Sequence, residues 1–329
     1  MNPCAVNEPD WRNGMGFFRY SLPVVGGGIR EGILIRLENS AGAVGWGDAA
    51  PLPGWSAETL EDVLAAIRSG ESEVQAPSSL VCAIEAARSS VEKYGRWSSR
   101  VARLPLNALL DGSFQEMLER AGSAIARGCR YFKIKVAGIS PEDLPSLLRR
   151  ISAMANERCR FRIDPNRAWE FDSTLRVAEM LAEYPVDYFE EPLRDFSNLP
   201  ELIKQCPVGI ALDETLRDIS PSELAAFKGA SALVLKPTLM GGFKVCRDFA
   251  DAGAALGMAS VVSACYESGV GIYALGRFSL TLPCSAAAGL DTYSRLEEDV
   301  LCERLDLGHF IFQGDSLLPD VDLSKLHPL

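Results

Sequence analysis

Acidic and lysine side chains recur at the ends of successive short apolar runs in the middle of the chain. The last residues of five such runs are Lys135, Asp164, Glu190, Asp213 and Lys236, spaced 29, 26, 23 and 23 residues apart. One βα unit occupies roughly this length in a (β/α)8 barrel of about 250 residues. Because the carboxyl ends of all barrel strands meet at one rim, the spacing predicts that these side chains surround one site.

The three acids predict a site for a hard metal ion. Helix capping or pairing with an arginine explains any single acid, but three acids at successive strand ends favour a shared function. Carboxylate oxygens without histidine favour Mg²⁺, or alternatively Mn²⁺, over zinc. Asn166 and Glu214, which closely follow Asp164 and Asp213, are candidates for supporting this site.

The lysines suggest proton transfer. Lys133 and Lys135 are two residues apart on one predicted strand, so both face the barrel interior. An unpaired buried ammonium group is costly, and pairing with the acids is the structural explanation. The functional explanation is that a metal ion and a second lysine lower the lysine pKa, which frees it to accept a proton. Lys236 would reach the opposite side of a bound substrate.

A metal ion combined with amine bases suits removal of a proton next to a carboxylate. Such protons are weakly acidic, so stabilisation of the developing charge supplies most of the catalysis. The 329-residue sequence has only two histidines, His309 and His327. A Ser-His-Asp site or a histidine-rich metal site is therefore not favoured.

The composition excludes several other classes of protein. A net charge of −11 argues against a nucleic-acid binder, which would show a basic patch. The nine cysteines form no C-x-x-C pair, which indicates reduced thiols and a cytoplasmic location. The N-terminus does not resemble a signal peptide. No run of 18 apolar residues predicts a membrane span.

The pattern along the chain predicts two structural units. Residues 16–50 read as strands, and helical patterns begin at Ser56 and Ser78. From residue 104 onward, seven predicted strands alternate with helices, and a weak eighth strand lies near Pro283–Ala288. This alternation indicates parallel βαβ units.

These motifs resemble the enolase superfamily, and more narrowly its muconate-lactonizing-type subgroup. The shared motifs are K-x-K, D-x-N, E-E-P, D-E and K-P at successive strand ends, and Gly45–Ser56 resembles the subgroup's capping segment. The resemblance implies a modified (β/α)7β TIM-type barrel with an α+β N-terminal capping domain. It divides the chain into a cap (residues 1–102), a barrel (103–300) and a C-terminal segment (301–329) that returns to the cap.

Within the subgroup, the chain is most similar to the o-succinylbenzoate synthase family. The similarity lies in R-I-D-P-N-R-A-W (residues 162–169), L-K-P-T-L (235–239), S-A-C-Y-E-S-G (263–269) and G-L-D-T (289–292). Two departures are Pro165, where alanine is more usual, and A-C-Y at 264–266. Both leave the chemistry intact and affect substrate detail.

The resemblance also implies individual roles. Asp164, Glu190 and Asp213 would bind the metal, and Glu190 is preferred to Glu191 because it completes its strand. Lys135 would be the general base, and Lys236 would stabilise the enediolate from the other face. The supporting or substrate-binding residues would be Lys133, Arg162, Asn166, Glu214, Ser263, Ser268 and Gly269, with Trp55 covering the substrate ring.

The implied activity is dehydration of a succinyl-bearing cyclohexadiene carboxylate in menaquinone biosynthesis. N-succinylamino acid racemases and dipeptide epimerases use the same metal and lysines, so they remain an alternative, although Arg162 and the residues after Asn166 favour the synthase. A Schiff-base lyase using Lys236 or Lys135 leaves the three acids unexplained. The same objection applies to a non-catalytic scaffold. The expected partner is a small carboxylate, and the chain is a monomer or a small homo-oligomer.

Overall fold

The N-terminal unit is an antiparallel sheet covered by two helices. The computed structural model describes residues 11–70, 75–91, 103–315 and 317–329. Strands β1 (Met15–Pro23), β2 (Ile29–Glu38) and β3 (Val44–Ala49) pair in sequence order. The turn between β1 and β2 contains Gly26 to Gly28, each with a positive φ that glycine adopts without strain.

Helices α1 (Leu60–Ser69) and α2 (Ser78–Val91) bury the apolar face of this sheet. Close packing requires glycine at position 47, since a Cβ there would lie 1.8 Å from the backbone oxygen of Ala83. Helix α1 begins four residues later than the helical pattern at Ser56 suggested. Thr59 and Asp62 form a reciprocal capping box that fixes the start of this helix. The described residues of this unit, 11–70 and 75–91, are called the cap below.

The second unit is a parallel barrel whose strands follow one another around the ring. The seven strands of this sheet are β5 (Asn107–Leu110), β6 (Tyr131–Lys135), β7 (Arg160–Asp164), β8 (Val186–Glu190), β9 (Ile210–Leu212), β10 (Ala232–Leu235) and β11 (Ala259–Val262). Every neighbouring pair is parallel. Strands β9 and β10 consist only of apolar residues, as expected where helices cover the outer face of a parallel sheet.

Helices separate these strands as the alternating pattern predicted. They are α3 (Phe114–Ala126), α4 (Leu144–Met154), α5 (Phe171–Leu181), α6 (Leu199–Gln205), α7 (Pro237–Met240), α8 (Phe243–Ala255) and α9 (Gly269–Ser279). Between β9 and β10 the predicted helix is a 3₁₀ helix, Pro221–Phe227. The predicted fold class, a TIM-type barrel with an α+β N-terminal unit, is confirmed.

The weak eighth strand closes the ring through isolated bridges. Ser285 and Gly289 bridge to Ser260 and Ser263 on the β11 side, and Ala288 bridges to Leu106 on the β5 side. This segment contributes single bridges rather than a continuous ladder, which explains why its sequence signal was weak.

The C-terminal segment contacts both units. Strand β12 (Ile311–Gln313) pairs with β4 (Arg103–Pro105) beside the barrel, and β13 (His327–Pro328) pairs with β1 of the cap. The domain limits at 102 and 300 remain predictions, and residues 92–102 lie outside the described part of the chain. Across the described residues, no helix has the length and apolar character needed to cross a membrane.

Candidate active site

The five side chains that the spacing singled out all lie at one rim of the barrel. Lys135, Asp164 and Glu190 are the last residues of β6, β7 and β8, and Asp213 and Lys236 directly follow β9 and β10. Lys135 and Asp164 are register partners across neighbouring strands. The rim therefore collects residues that are distant in sequence, as parallel strands require.

The rim side chains form a buried network of ion pairs. Lys133 Nζ lies 2.6 Å from Glu190 Oε1 and 3.0 Å from Asp164 Oδ2. Lys135 Nζ lies 2.5 Å from the same Asp164 oxygen, and Lys236 pairs with Asp213. Charges buried this deeply need partners, and each carboxylate has a lysine.

The electrostatics of the rim are dominated by burial and by the crowding of like charges. Burial raises the pKa of Glu190 to about 7, with repulsion from Asp164 and Asp213 adding to the rise and Lys133 opposing it. Burial by itself would lower the pKa of Lys133, but the adjacent carboxylates hold it well above its ordinary value. The pKa of Lys236 is raised for the same reason, chiefly by Asp213.

The sequence predicted that a metal ion and a second lysine together lower the lysine pKa at this rim, which stays a prediction. Without a metal ion, the carboxylates outweigh the repulsion between the lysines and raise the pKa of Lys133 and Lys236. Both residues therefore suit the role of fixed cations.

The chemistry of the donor set fits a divalent cation. In the described residues, no three acidic, His or Cys side chains are already spaced to hold a metal ion, and each of the three rim acids pairs with a lysine. The three carboxylates come from adjacent strands and repel one another. The Oε2 atom of the neighbouring residue Glu214 is also buried, and it has no hydrogen-bond partner among the described residues. Hard oxygen donors of this kind suit Mg²⁺ or Mn²⁺.

The structure distinguishes the two adjacent glutamates 190 and 191. Glu190 faces the rim, whereas Glu191 turns away and accepts hydrogen bonds from Arg167 Nη2 at 2.7 Å and from the Asp213 amide at 2.9 Å. Thr215 also donates to Glu191. This clamp joins the ends of β8 and β9. It was missed from the sequence, although side-chain alternation along a strand already places neighbours on opposite faces.

Two predicted supporting residues take different positions. Asn166 lies beside Lys135. Its side-chain Oδ1 accepts a hydrogen bond from Lys135 Nζ at 2.9 Å, and its backbone N–H donates one to Asp164 Oδ1 at 2.9 Å. Glu214 does not line the pocket, and its Oε2 lies 4.0 Å from Arg167 Nε. Asn166 thus contacts Lys135, the predicted base, while Glu214 lies outside the lining of the cavity.

Arg162 lies deeper in the barrel than a substrate-binding role requires. It is 2% exposed, and its Nη1 donates to Asn107 Oδ1 at 3.0 Å and to Ala287 O at 2.7 Å. Its guanidinium also lies over the ring of Tyr188. The sequence predicted a supporting or substrate-binding role for Arg162, and in this geometry Arg162 supports the pocket through Asn107, a lining residue.

Ser268 and the Gly269 amide were predicted to bind a substrate carboxylate, but internal acids already use these donors. The Ser268 amide and hydroxyl donate to Asp48 Oδ2 at 2.8 and 2.7 Å, and the Gly269 amide donates to Asp299 Oδ1 at 2.9 Å. Both acids are buried. Their role in substrate binding therefore stays a prediction, and Ser263 is the member of the group that lines the pocket.

The rim opens into a cavity of about 250 Å³ beneath the cap. Its lining residues are Leu52 and Trp55 from the cap, and from the barrel Asn107, Leu109, Asp111, Lys133, Lys135, Asn166, Lys236, Leu239, Ser263, Ala264, Cys265, Tyr266, Gly289, Asp291 and Thr292. The Trp55 ring centre lies 6.0 Å from Lys236 Nζ. Lys135 and Lys236 follow β6 and β10, with β7, β8 and β9 between them. They therefore approach the cavity from different sides.

The fold and the rim together define a β/α-barrel enzyme with an N-terminal cap. The chain belongs to the enolase C-terminal domain-like family, whose model matches residues 116–313. The model of a second family, described as MenC, N-terminal domain, matches residues 14–91. The two matches correspond to the barrel and the cap.

Two o-succinylbenzoate synthases are similar in sequence to most of this chain. An o-succinylbenzoate synthase from Enterobacter sp. (strain 638) is 28% identical over 96% of this chain and 99% of its own. One from Pectobacterium atrosepticum is 26% identical over 86% of this chain and 91% of its own.

Solved structures share the fold. A muconate cycloisomerase from Pseudomonas fluorescens superposes with a TM-score of 0.81, at 20% identity over 95% of this chain and 96% of its own. The L-Ala-D/L-Glu epimerase from Bacillus subtilis superposes with a TM-score of 0.76, at 19% identity over 87% of this chain and 91% of its own.

Proposed function

We propose that the protein is a hydro-lyase that converts 2-succinyl-6-hydroxy-2,4-cyclohexadiene-1-carboxylate to o-succinylbenzoate in menaquinone biosynthesis. The observation that carries the proposal is the rim itself, where three buried carboxylates alternate with lysines in ion pairs. Near full-length similarity to o-succinylbenzoate synthases supports this choice among the reactions that such a rim can catalyse.

Asp164, Glu190 and Asp213 would hold the metal ion, with Mg²⁺ as the proposed ion and Mn²⁺ as the alternative. When bound, the cation would supply positive charge for the electrons that accumulate on the substrate carboxylate. Asn166 already gives Lys135 a second partner, at 2.9 Å.

Lys135, in its neutral form, would remove the proton from the ring carbon that bears the carboxylate. The ammonium group thus formed would donate the proton to the departing hydroxyl on the same face, and water would leave. The electron pair of the broken C–H bond completes the aromatic ring, so atoms and charges balance. Aromatisation makes the step favourable.

Lys236 would remain protonated on the other side of the substrate and stabilise the developing negative charge. Its pKa is raised by Asp213, which suits a fixed cation better than a base. Lys133, held between Glu190 and Asp164, would keep the rim charges in place. Trp55 and Leu52 would cover the ring from the cap.

The direct test is an ultraviolet assay for o-succinylbenzoate formation by the purified protein. Activity should appear with Mg²⁺, disappear with EDTA and return on adding Mg²⁺ again. Product formation that persists in excess EDTA would contradict the metal-dependent proposal. Trapping of the protein by borohydride in the presence of substrate would instead indicate a Schiff base.

Racemisation of N-succinylamino acids, or epimerisation of dipeptides, is the second candidate, because lysines approach the cavity from two sides. Incubation of a chiral N-succinylamino acid in deuterated water distinguishes racemisation from the proposed dehydration. Deuterium uptake with loss of optical activity, faster than dehydration, would favour the racemase. The proposed partner in either case is a small carboxylate, and neither a nucleic acid nor a membrane is part of the proposal.

We also propose a cytoplasmic location, consistent with free thiols at the eight described cysteines. The proposal holds for a monomer and for a small homo-oligomer alike, since every rim residue comes from one chain.

A further inference from the structure

Arg30 of β2 is a buried cation that reaches from the cap into the barrel. It is 5% exposed, and its five N–H donors all contact backbone carbonyl oxygens. On the barrel side, Nε lies 3.0 Å from Tyr266 O and Nη2 lies 3.3 Å from Cys265 O. On the cap side, Nη1 lies 2.7 Å from Pro51 O, and Nη2 donates to Ala50 O.

The two segments that Arg30 joins both lead to walls of the substrate cavity. Cys265 and Tyr266 line the cavity directly, on the loop that follows β11. Ala50 and Pro51 lead into the cap segment that carries the lining residues Leu52 and Trp55. One guanidinium therefore fixes the distance between a wall supplied by the cap and a wall supplied by the barrel.

The same barrel loop is tied to the turn that carries Lys236. The carboxylate of Glu267 accepts a hydrogen bond from Thr238 Oγ1 at 2.6 Å and another from the Cys265 amide at 2.5 Å. Thr238 is two residues beyond Lys236 in the chain. A displacement of the 265–267 loop would therefore reach the lysine that faces the substrate.

The backbone of this loop needs external support. Tyr266 has a φ of +63°, in the left-handed region that residues other than glycine seldom adopt. Such a conformation persists only when surrounding groups hold it. The Nε bond from Arg30 to the carbonyl of Tyr266 provides one such restraint.

We propose that Arg30 is a positioning residue that couples the cap to the substrate cavity by holding the 50–55 and 265–266 segments at a fixed separation. It contacts neither the rim acids nor Lys135, so its contribution is to substrate binding rather than to metal binding. Lysine cannot replace it, because a single ammonium group offers three donors at one point, whereas the guanidinium offers five in a planar fork.

The kinetic test, which rests on the proposed function, compares Arg30→Lys with Arg36→Lys. Arg36 lies on the same strand, but its partner is the exposed Glu38, 2.7 Å away, so its replacement should leave turnover unchanged. Arg30→Lys should lower kcat/KM by about 10- to 100-fold, the effect expected from a misplaced substrate. Most of the loss should appear in KM, with unaltered Mg²⁺ affinity. An unchanged KM would overturn the proposal.

Hydrogen exchange measured by mass spectrometry tests the same coupling without any turnover. In Arg30→Lys, peptides covering 50–56 and 264–268 should both lose protection, and in Arg36→Lys neither should change. Loss of protection in only one segment, or in neither, would contradict the coupling. If the wild-type protein makes no o-succinylbenzoate, the proposed function fails but this measurement still tests Arg30.

The wild-type protein provides a further measurement if Arg30→Lys does not fold. At low denaturant concentration, the 50–56 and 264–268 amides should open with one common free energy, as parts of one cooperative unit. Independent opening of the two segments would exclude a rigid connection through Arg30.

Discussion

The barrel rim and the loop after β11 both present polar groups at the carboxyl edge of the barrel, but they use them differently. At the rim, Asp164 and Glu190 pair with lysine side chains that line the cavity. In the loop, Ser268 and Gly269 donate to acids that are themselves buried. Under the proposed function, the rim partners would be exchanged for a metal ion and a substrate, whereas the loop partners hold the cap and the C-terminal segment against the barrel.

The largest effect is expected when one rim acid is removed, which tests whether the rim binds a metal ion. Glu190→Gln should lower the affinity for Mg²⁺ by at least about 100-fold, the upper cost of losing even an outer group around a metal. Calorimetric titration with Mg²⁺ measures this, with the exposed Glu201→Gln on α6 as the matched control. Wild-type Mg²⁺ affinity in Glu190→Gln would remove Glu190 from the ligand set.

The neighbouring glutamate should show the opposite behaviour. Glu191→Gln removes a buried charge that pairs with Arg167 at 2.7 Å and leaves the guanidinium without its partner. We expect the free energy of unfolding to fall by about 2–3 kcal/mol, less than for a fully buried pair because Arg167 is 26% exposed. Urea unfolding checks this value. Loss of Mg²⁺ affinity without loss of stability would reverse the assignment of the two glutamates.

A smaller effect separates the two serines of the 263–269 segment. Ser268→Ala deprives the buried Asp48 of its hydroxyl donor and should cost about 1–2 kcal/mol of unfolding free energy. Ser263→Ala, at a lining position, should raise KM more than it lowers stability. Denaturation curves and KM values for both variants distinguish the two roles, and a raised KM with normal stability in Ser268→Ala would support the prediction that Ser268 binds substrate.

The rim was predictable because its signal is local. The position of each acid or lysine is set by the strand that it ends. Parallel strands bring these ends to the same rim, whatever the conformation of the loops. The fold class followed from the same alternation. The start of α1 was misplaced because the capping box at Thr59 and Asp62 overrides the apolar spacing that begins at Ser56.

The sequence did not predict contacts between residues that are distant along the chain. Asp48 lies 220 residues from Ser268, and nothing near either residue indicates that they meet. Arg162 was predicted from its motif to support or bind the substrate, but its partners Asn107 and Ala287 lie 55 and 125 residues away in the sequence, and the motif does not indicate them. The five carbonyl partners of Arg30 were also not predictable, because every residue type carries a backbone carbonyl.

The central claim is that Lys135 at the carboxyl rim removes the proton next to the substrate carboxylate. The most direct measurement is kcat for o-succinylbenzoate formation by Lys135→Met at saturating Mg²⁺, beside Lys244→Met, which changes an exposed lysine of α8. Loss of a general base predicts a fall in kcat of about 10²- to 10⁴-fold for Lys135→Met and no change for the control. Equal kcat values for Lys135→Met and the wild-type protein would contradict the account.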